Sequence, residues 1–109
     1  MTGVQTCALP ICLRLRYQGQ EVLVSETRAN ITIGCAEEND LVVKGNLISR
    51  LHARVEINRN KFMLIDQSTN GTFVLGKDGE EAFVRRDSMQ IRGEGLIGLA
   101  RHPIAILLR

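Results

Sequence analysis

Along most of this chain, apolar residues alternate with polar ones or gather in short runs, each closed by Gly, Asn or Asp. No stretch keeps an apolar 3.6-residue period long enough for a helix. Period-2 alternation bounded by turn residues predicts short β-strands instead. The expected strands are Leu13 to Tyr17, Glu21 to Ser25, Asn30 to Ile33, Leu41 to Val43, Ala53 to Asn58, Lys61 to Asp66, Thr72 to Leu75, Ala82 to Arg85, Met89 to Ile91, Leu96 to Leu99 and Ile104 to Leu108. Gln18-Gly19-Gln20, Asn58-Arg59-Asn60 and Lys77-Asp78-Gly79-Glu80 sit between strand runs and predict tight turns, Asp-Gly being a favoured two-residue turn. The fold class expected is an all-β sandwich of about eleven short strands. Its strands are consumed by the core, so function belongs to the loops at one end.

The first eleven residues, Met1 to Ile11, are set apart from that pattern. Thr2-Gly3-Val4-Gln5-Thr6-Cys7-Ala8-Leu9-Pro10-Ile11 looks like the in-frame translation of a sequencing-library adapter, with Met1 from an alternative start codon. It lacks the charged start and long apolar run of a signal peptide, and is expected to be a non-native scar. Residues 12–109 then form one small domain, a fragment of a longer gene product.

The formal net charge of +2 is too weak, and its basic residues too scattered, to imply nucleic acid or an anionic membrane surface. No apolar run is long enough to span a bilayer. Of three cysteines, Cys7 lies in the scar and Cys12 at its junction, so neither a disulfide framework nor a metal-ligand spacing is formed, and no cofactor is expected. A cytoplasmic setting follows.

Two blocks carry chemistry: Ser49-Arg50-Leu51-His52-Ala53-Arg54-Val55, and Asp66-Gln67-Ser68-Thr69-Asn70-Gly71-Thr72-Phe73-Val74. Singly each residue is bland. Asn70-Gly71 is a common hairpin signal, Ser49 an ordinary loop serine, Arg50 a solvated charge and His52 a structural histidine. Their joint order and spacing, with Ile33-Gly34 upstream, is far more specific, and resembles the forkhead-associated (FHA) family of phosphothreonine-binding domains over nearly the whole chain. A looser resemblance, carried by residues 62–74, 78–86 and 93–99, is to FHA domains appended to bacterial class III adenylate cyclases. It implies the regulatory part of a larger protein.

The resemblance implies a bacterial signalling module that recognises a threonine-phosphorylated protein or peptide, or its own parent chain. Ser49 would contact the phosphate through its hydroxyl and backbone amide. Arg50 would add a cationic contact. Thr69 would contact the phosphate or shape the pocket for the threonine methyl, and Asn70 would hold the peptide backbone. Gly34, His52 and Gly71 would support the loops.

One departure stands against the matches. Where the family pattern has a phosphate-binding arginine after the glycine, this chain has Cys35. A lost charge-assisted hydrogen bond costs about 1.5 to 3 kcal/mol, roughly 10- to 150-fold in affinity. Either Arg50 or Lys44 compensates, or the domain is a phosphate-independent interaction module, or the cysteine is a sequence error. An enzyme is disfavoured, because no Ser/His/Asp order, metal cluster or phosphate-cradling glycine loop occurs and His102, before Pro103, reads as an isolated loop residue.

Overall fold

The computed structural model describes residues 12–59, 61–100 and 102–108; the segment read as adapter-derived lies outside them. The strands are β1 (Leu13–Tyr17), β2 (Gln20–Val24), β3 (Asn30–Gly34), β4 (Leu41–Val42), β5 (Ala53–Asn58), β6 (Lys61–Asp66), β7 (Thr72–Gly76), β8 (Glu81–Val84), β9 (Ser88–Ile91), β10 (Gly95–Leu99) and β11 (His102–Leu108). They form a six-stranded sheet, β2-β1-β11-β10-β7-β8, facing a five-stranded sheet, β4-β3-β5-β6-β9. All strand pairs are antiparallel except β3 with β4.

Alternation sets the two faces. In β1, Leu13, Leu15 and Tyr17 turn inward while Arg14 and Arg16 turn out. The facing sheet contributes Ile31, Ile33, Val55, Phe62 and Leu64, and these inner faces fill the core. The same rule puts Asp66 on the core face, in step with Phe62 and Leu64 at the end of β6. A buried carboxylate there must find donors.

Turns follow the sequence at several hairpins. Gln18 and Gly19 hold φ of 42° and 82°, the left-handed pair that a two-residue hairpin between β1 and β2 requires. Between the two sheets, the Gln20 side chain imitates a strand. Its Nε2 donates to the Val42 carbonyl at 2.6 Å and its Oε1 accepts from the Val42 amide at 3.0 Å, stitching the β2 edge to the β4 edge.

Two expectations are corrected. Ser25 does not belong to β2; it leaves the strand to close a small turn with Arg28, each backbone amide donating to the other's carbonyl at 3.1 Å. His102 is not an isolated loop residue. It opens β11 opposite Leu99, with its Nδ1 3.1 Å from the Tyr17 hydroxyl. Pro103 is accommodated because β1 pairs with β11 only from Ala105 onward, so no ladder bond to β1 is lost at the strand's start.

Candidate functional site

Three loops meet at one end of the sandwich: residues 35–40 after β3, 43–52 between β4 and β5, and 67–71 between β6 and β7. The last is no hairpin, although it contains Asn70-Gly71. β6 pairs with β5 and β9 whereas β7 pairs with β10 and β8, so the chain crosses there from one sheet to the other. Gly71, at φ 89°, makes that crossing, and a Cβ on it would lie 2.3 Å from Cζ of Phe83.

Glycine at position 34 has a different cause. A Cβ there would come within 2.1 Å of the Arg50 carbonyl oxygen, so only glycine lets β3 run beneath the serine loop. Beyond it, the Cys35 amide donates to the Ser49 carbonyl at 3.1 Å and the Ala36 amide to the Arg50 carbonyl at 3.3 Å. Asn39 completes the clamp, its Nδ2 donating to the carbonyls of Ala36 and Arg50 at 2.8 and 2.7 Å. Asp40, next to it, accepts from the amide and hydroxyl of Thr32 and pairs with Arg28.

His52 lies at the centre and is fully buried. Its Nδ1 accepts from the Ser49 amide at 3.1 Å, which puts the ring proton on Nε2, where it donates to the Gly71 carbonyl at 2.9 Å. One ring thereby ties the serine loop to the asparagine loop. The Ser49 amide, expected to be open to a ligand, is instead spent on His52, which leaves the Ser49 hydroxyl at the surface. That hydroxyl oxygen accepts from the Thr69 amide at 3.3 Å.

Asp66 anchors the third loop from below. It accepts from the Ser68 amide and hydroxyl, the Thr72 hydroxyl at 2.6 Å and the Arg86 amide at 2.9 Å. Ser68 Oγ in turn accepts from the Gly71 amide at 2.7 Å. Burial pushes the Asp66 carboxyl up, but the hydrogen bonds from Thr72, Arg86 and Ser68 outweigh it and hold the group below its ordinary value.

On this frame the half-exposed Ser49 and the exposed Arg50, Thr69 and Asn70 stand together at the surface. Asn70 Nδ2 donates to the Leu47 carbonyl at 2.9 Å, a further bridge between the two loops, and among the described residues the Arg50 guanidinium makes no hydrogen bond or ion pair. Cys35 is half-buried and packs against the core. Lys44 Nζ sits over its carbonyl oxygen at 3.0 Å and 3.5 Å from Glu37. Among the described residues no group of three or more His, Cys, Asp or Glu side chains forms a metal site. A larger cleft of about 980 Å³, lined by Leu75, Lys77, Asp78 and Arg92 among others, lies at the opposite end of β7 from these loops.

The sequence pattern did not single out Asn39, Asp66, Ser68 or Gln20. The burial of Asp66 was foreshadowed only by its odd polarity at an inward position of β6. Ser68 acts within its own loop, on Asp66 and Gly71, whereas Asn39 and Gln20 reach Arg50 and Val42 through contacts that no local spacing reveals.

A family model for the FHA domain matches residues 31–92, from β3 to the end of β9, and so includes all three loops. The chain belongs to the FHA family. Solved FHA structures are similar throughout. Mycobacterium tuberculosis EmbR in complex with a low-affinity phosphopeptide matches 89% of this FHA domain at 21% identity and a TM-score of 0.71, with 24% of EmbR covered. The FHA-1 domain of M. tuberculosis Rv1747 matches 92% at 21% identity and a TM-score of 0.71, with 98% of that chain covered. The MEK1 FHA domain, in complex with a phosphothreonine peptide of HOP1, matches 89% at 19% identity and a TM-score of 0.72, with 96% covered. This FHA domain thus spans about a quarter of EmbR. At such identities the likeness is one of fold. None of the curated proteins matches the chain.

Proposed function

We propose that this FHA domain binds a threonine-phosphorylated protein segment at the surface formed by Ser49, Arg50, Thr69 and Asn70, and catalyses no reaction. The observation that carries the reading is the 3.3 Å bond from the Thr69 amide to Ser49 Oγ. It is long and lies at the surface, so an incoming phosphate oxygen can take over the Thr69 N–H while the freed Ser49 hydroxyl donates to a second oxygen. Arg50 beside them is a cation with no hydrogen bond or ion pair among the described residues, while Lys44, in the same loop, is held by the Cys35 carbonyl and Glu37. The Asn70 amide, now on the Leu47 carbonyl, is placed to exchange that bond for a peptide carbonyl.

Two arguments extend the reading. Solved relatives carry phosphopeptides, including a phosphothreonine one. The resemblance to domains appended to class III adenylate cyclases supports a regulatory place in a larger bacterial signalling protein, its target being a second protein or the parent chain.

A second reading is favoured by Cys35, which packs as a small apolar residue where the family's arginine would project. On it the same loops make a phosphate-independent protein contact. Competition separates the two. Free phosphothreonine should displace a bound phosphopeptide in the first case and leave a bound partner untouched in the second.

A further inference from the structure

On the outward face of the five-stranded sheet, next to the asparagine loop, Arg54, Gln67, Arg86, Asp87 and Ser88 line a concavity of about 520 Å³. Arg54 of β5 lies opposite Ile65 of β6, and Ile65 opposite Ser88 of β9, so the arginine and the serine flank one apolar floor. Arg86, in the turn between β8 and β9, holds a left-handed φ of 55° and comes in from the side.

The donors here are underused. Arg54 Nε is buried and meets no acceptor, and among the described residues its guanidinium makes no hydrogen bond or ion pair. Leaving such a group unsatisfied is costly, more so when it is charged, and folded proteins seldom do so without a ligand or water to accept. Among the described residues Arg86 Nε reaches only the Ser68 carbonyl, at 3.4 Å. The two local carboxylates do not quench either cation. Asp66 is saturated by Ser68, Thr72 and the Arg86 amide, while Asp87 accepts from the Ser88 amide at 2.8 Å and pairs with neither arginine.

We infer that this concavity is a second anion site, taking a phosphate-type or carboxylate oxyanion on the Arg54 and Arg86 guanidiniums, with Gln67 and the Ser88 hydroxyl at its rim. Guanidinium pairs suit that geometry because each presents planar, parallel N–H donors. Asp87 is the counterweight, its negative charge lowering the affinity for an incoming anion. Gln67 is also the first residue of the 67–71 loop, its amide donating to the His52 carbonyl at 2.9 Å. The anion is supplied either as free phosphate or as a second phosphate or acidic side chain on a segment already seated at Ser49 and Asn70. The latter source rests on the proposed phosphothreonine reading.

The test uses the ¹⁵N-labelled full chain and two probes, following the Arg54 and Arg86 Nε–H signals together with the backbone amides of Gln67, Ser88, Ser49 and Thr69. Sodium phosphate, titrated against chloride at equal ionic strength, should move Arg54, Gln67 and Ser88 saturably. The response should survive Ser49→Ala, vanish at Gln67 and Ser88 in Arg54→Met, and tighten on the order of three- to tenfold in Asp87→Asn, which leaves both arginines in place. Peptides with one phosphothreonine, with and without a second phosphate, form the other arm. Tighter binding of the doubly phosphorylated peptide, lost in Arg54→Met, assigns the anion to the peptide; no difference between the peptides, with phosphate still bound, assigns it to free phosphate. No saturable shift with either probe, or an unchanged shift in Arg54→Met, overturns the second site, and the phosphothreonine reading survives if the singly phosphorylated peptide still moves Ser49. Phosphate binding at Arg54 without any peptide response at Ser49 has the opposite meaning.

Discussion

His52 Nε2 donates to the carbonyl oxygen of Gly71 at 2.9 Å, although 19 residues separate them in the chain. Because Nδ1 of the same ring accepts from the Ser49 amide, the serine and asparagine loops are held at a fixed separation by one buried side chain. A rigid gap between two loops is what selective recognition of a short modified segment requires.

Replacing that ring should therefore cost stability and binding together. His52→Ala removes two hydrogen bonds and leaves a cavity, and is expected to lower stability by about 2–4 kcal/mol. Denaturant unfolding measures it; an unchanged midpoint would mean that the loops hold themselves.

Ser49→Ala and Asn70→Ala should behave differently. Their bonds to Thr69 and Leu47 lie at the surface, so each is expected to shift stability by less than about 1 kcal/mol. Phosphopeptide affinity should fall about tenfold or more for each. Paired thermal melts and binding isotherms separate the two effects, and a collapsed melt would make these residues structural.

Gly34→Ala tests the close approach of β3 to the serine loop. The new methyl would sit 2.1 Å from the Arg50 carbonyl oxygen and 2.9 Å from Asn39 Nδ2, so the whole loop must shift. A loss of about 1–3 kcal/mol is expected, with weaker phosphopeptide binding. Wild-type stability would show that the loop yields freely.

Acid should weaken the fold through Asp66 and Asp40. For Asp40 too, burial raises the carboxyl but hydrogen bonds from Thr32 and Arg28, with the Arg28 charge, win and hold it below its ordinary value. Groups depressed in the folded state stabilise it fully above the unfolded carboxylate value of about 3.9 and lose that contribution as pH falls through the folded value. Denaturation midpoints should be flat near neutrality and drop below about pH 4. Asp66→Asn should flatten that acid limb; an identical pH profile would remove Asp66 from the account.

The strands were legible because period-2 alternation is a local consequence of a half-buried sheet, and β1, β5 and β6 fall where that alternation lies. His102 was misread because Pro103 beside it suppresses a strand reading, and only the register with β1 and β10 shows why proline is tolerated. The fixed order Gly34, Ser49, His52, Asn70 carried the site. The clamp by Asn39 on Arg50 and the stitch by Gln20 on Val42 join residues from different strands or loops, and spacing along the chain holds no trace of them.

The surface around Ser49 and Asn70 should read phosphorylated threonine despite Cys35. Fluorescence anisotropy tests it most directly, titrating a degenerate phosphothreonine peptide library and its unphosphorylated twin against this chain and its Cys35→Arg variant. Binding by the chain as it stands should depend on the phosphate and be strengthened roughly 10- to 150-fold by the arginine. Equal binding of the two libraries, or binding by the Cys35→Arg variant alone, would contradict it.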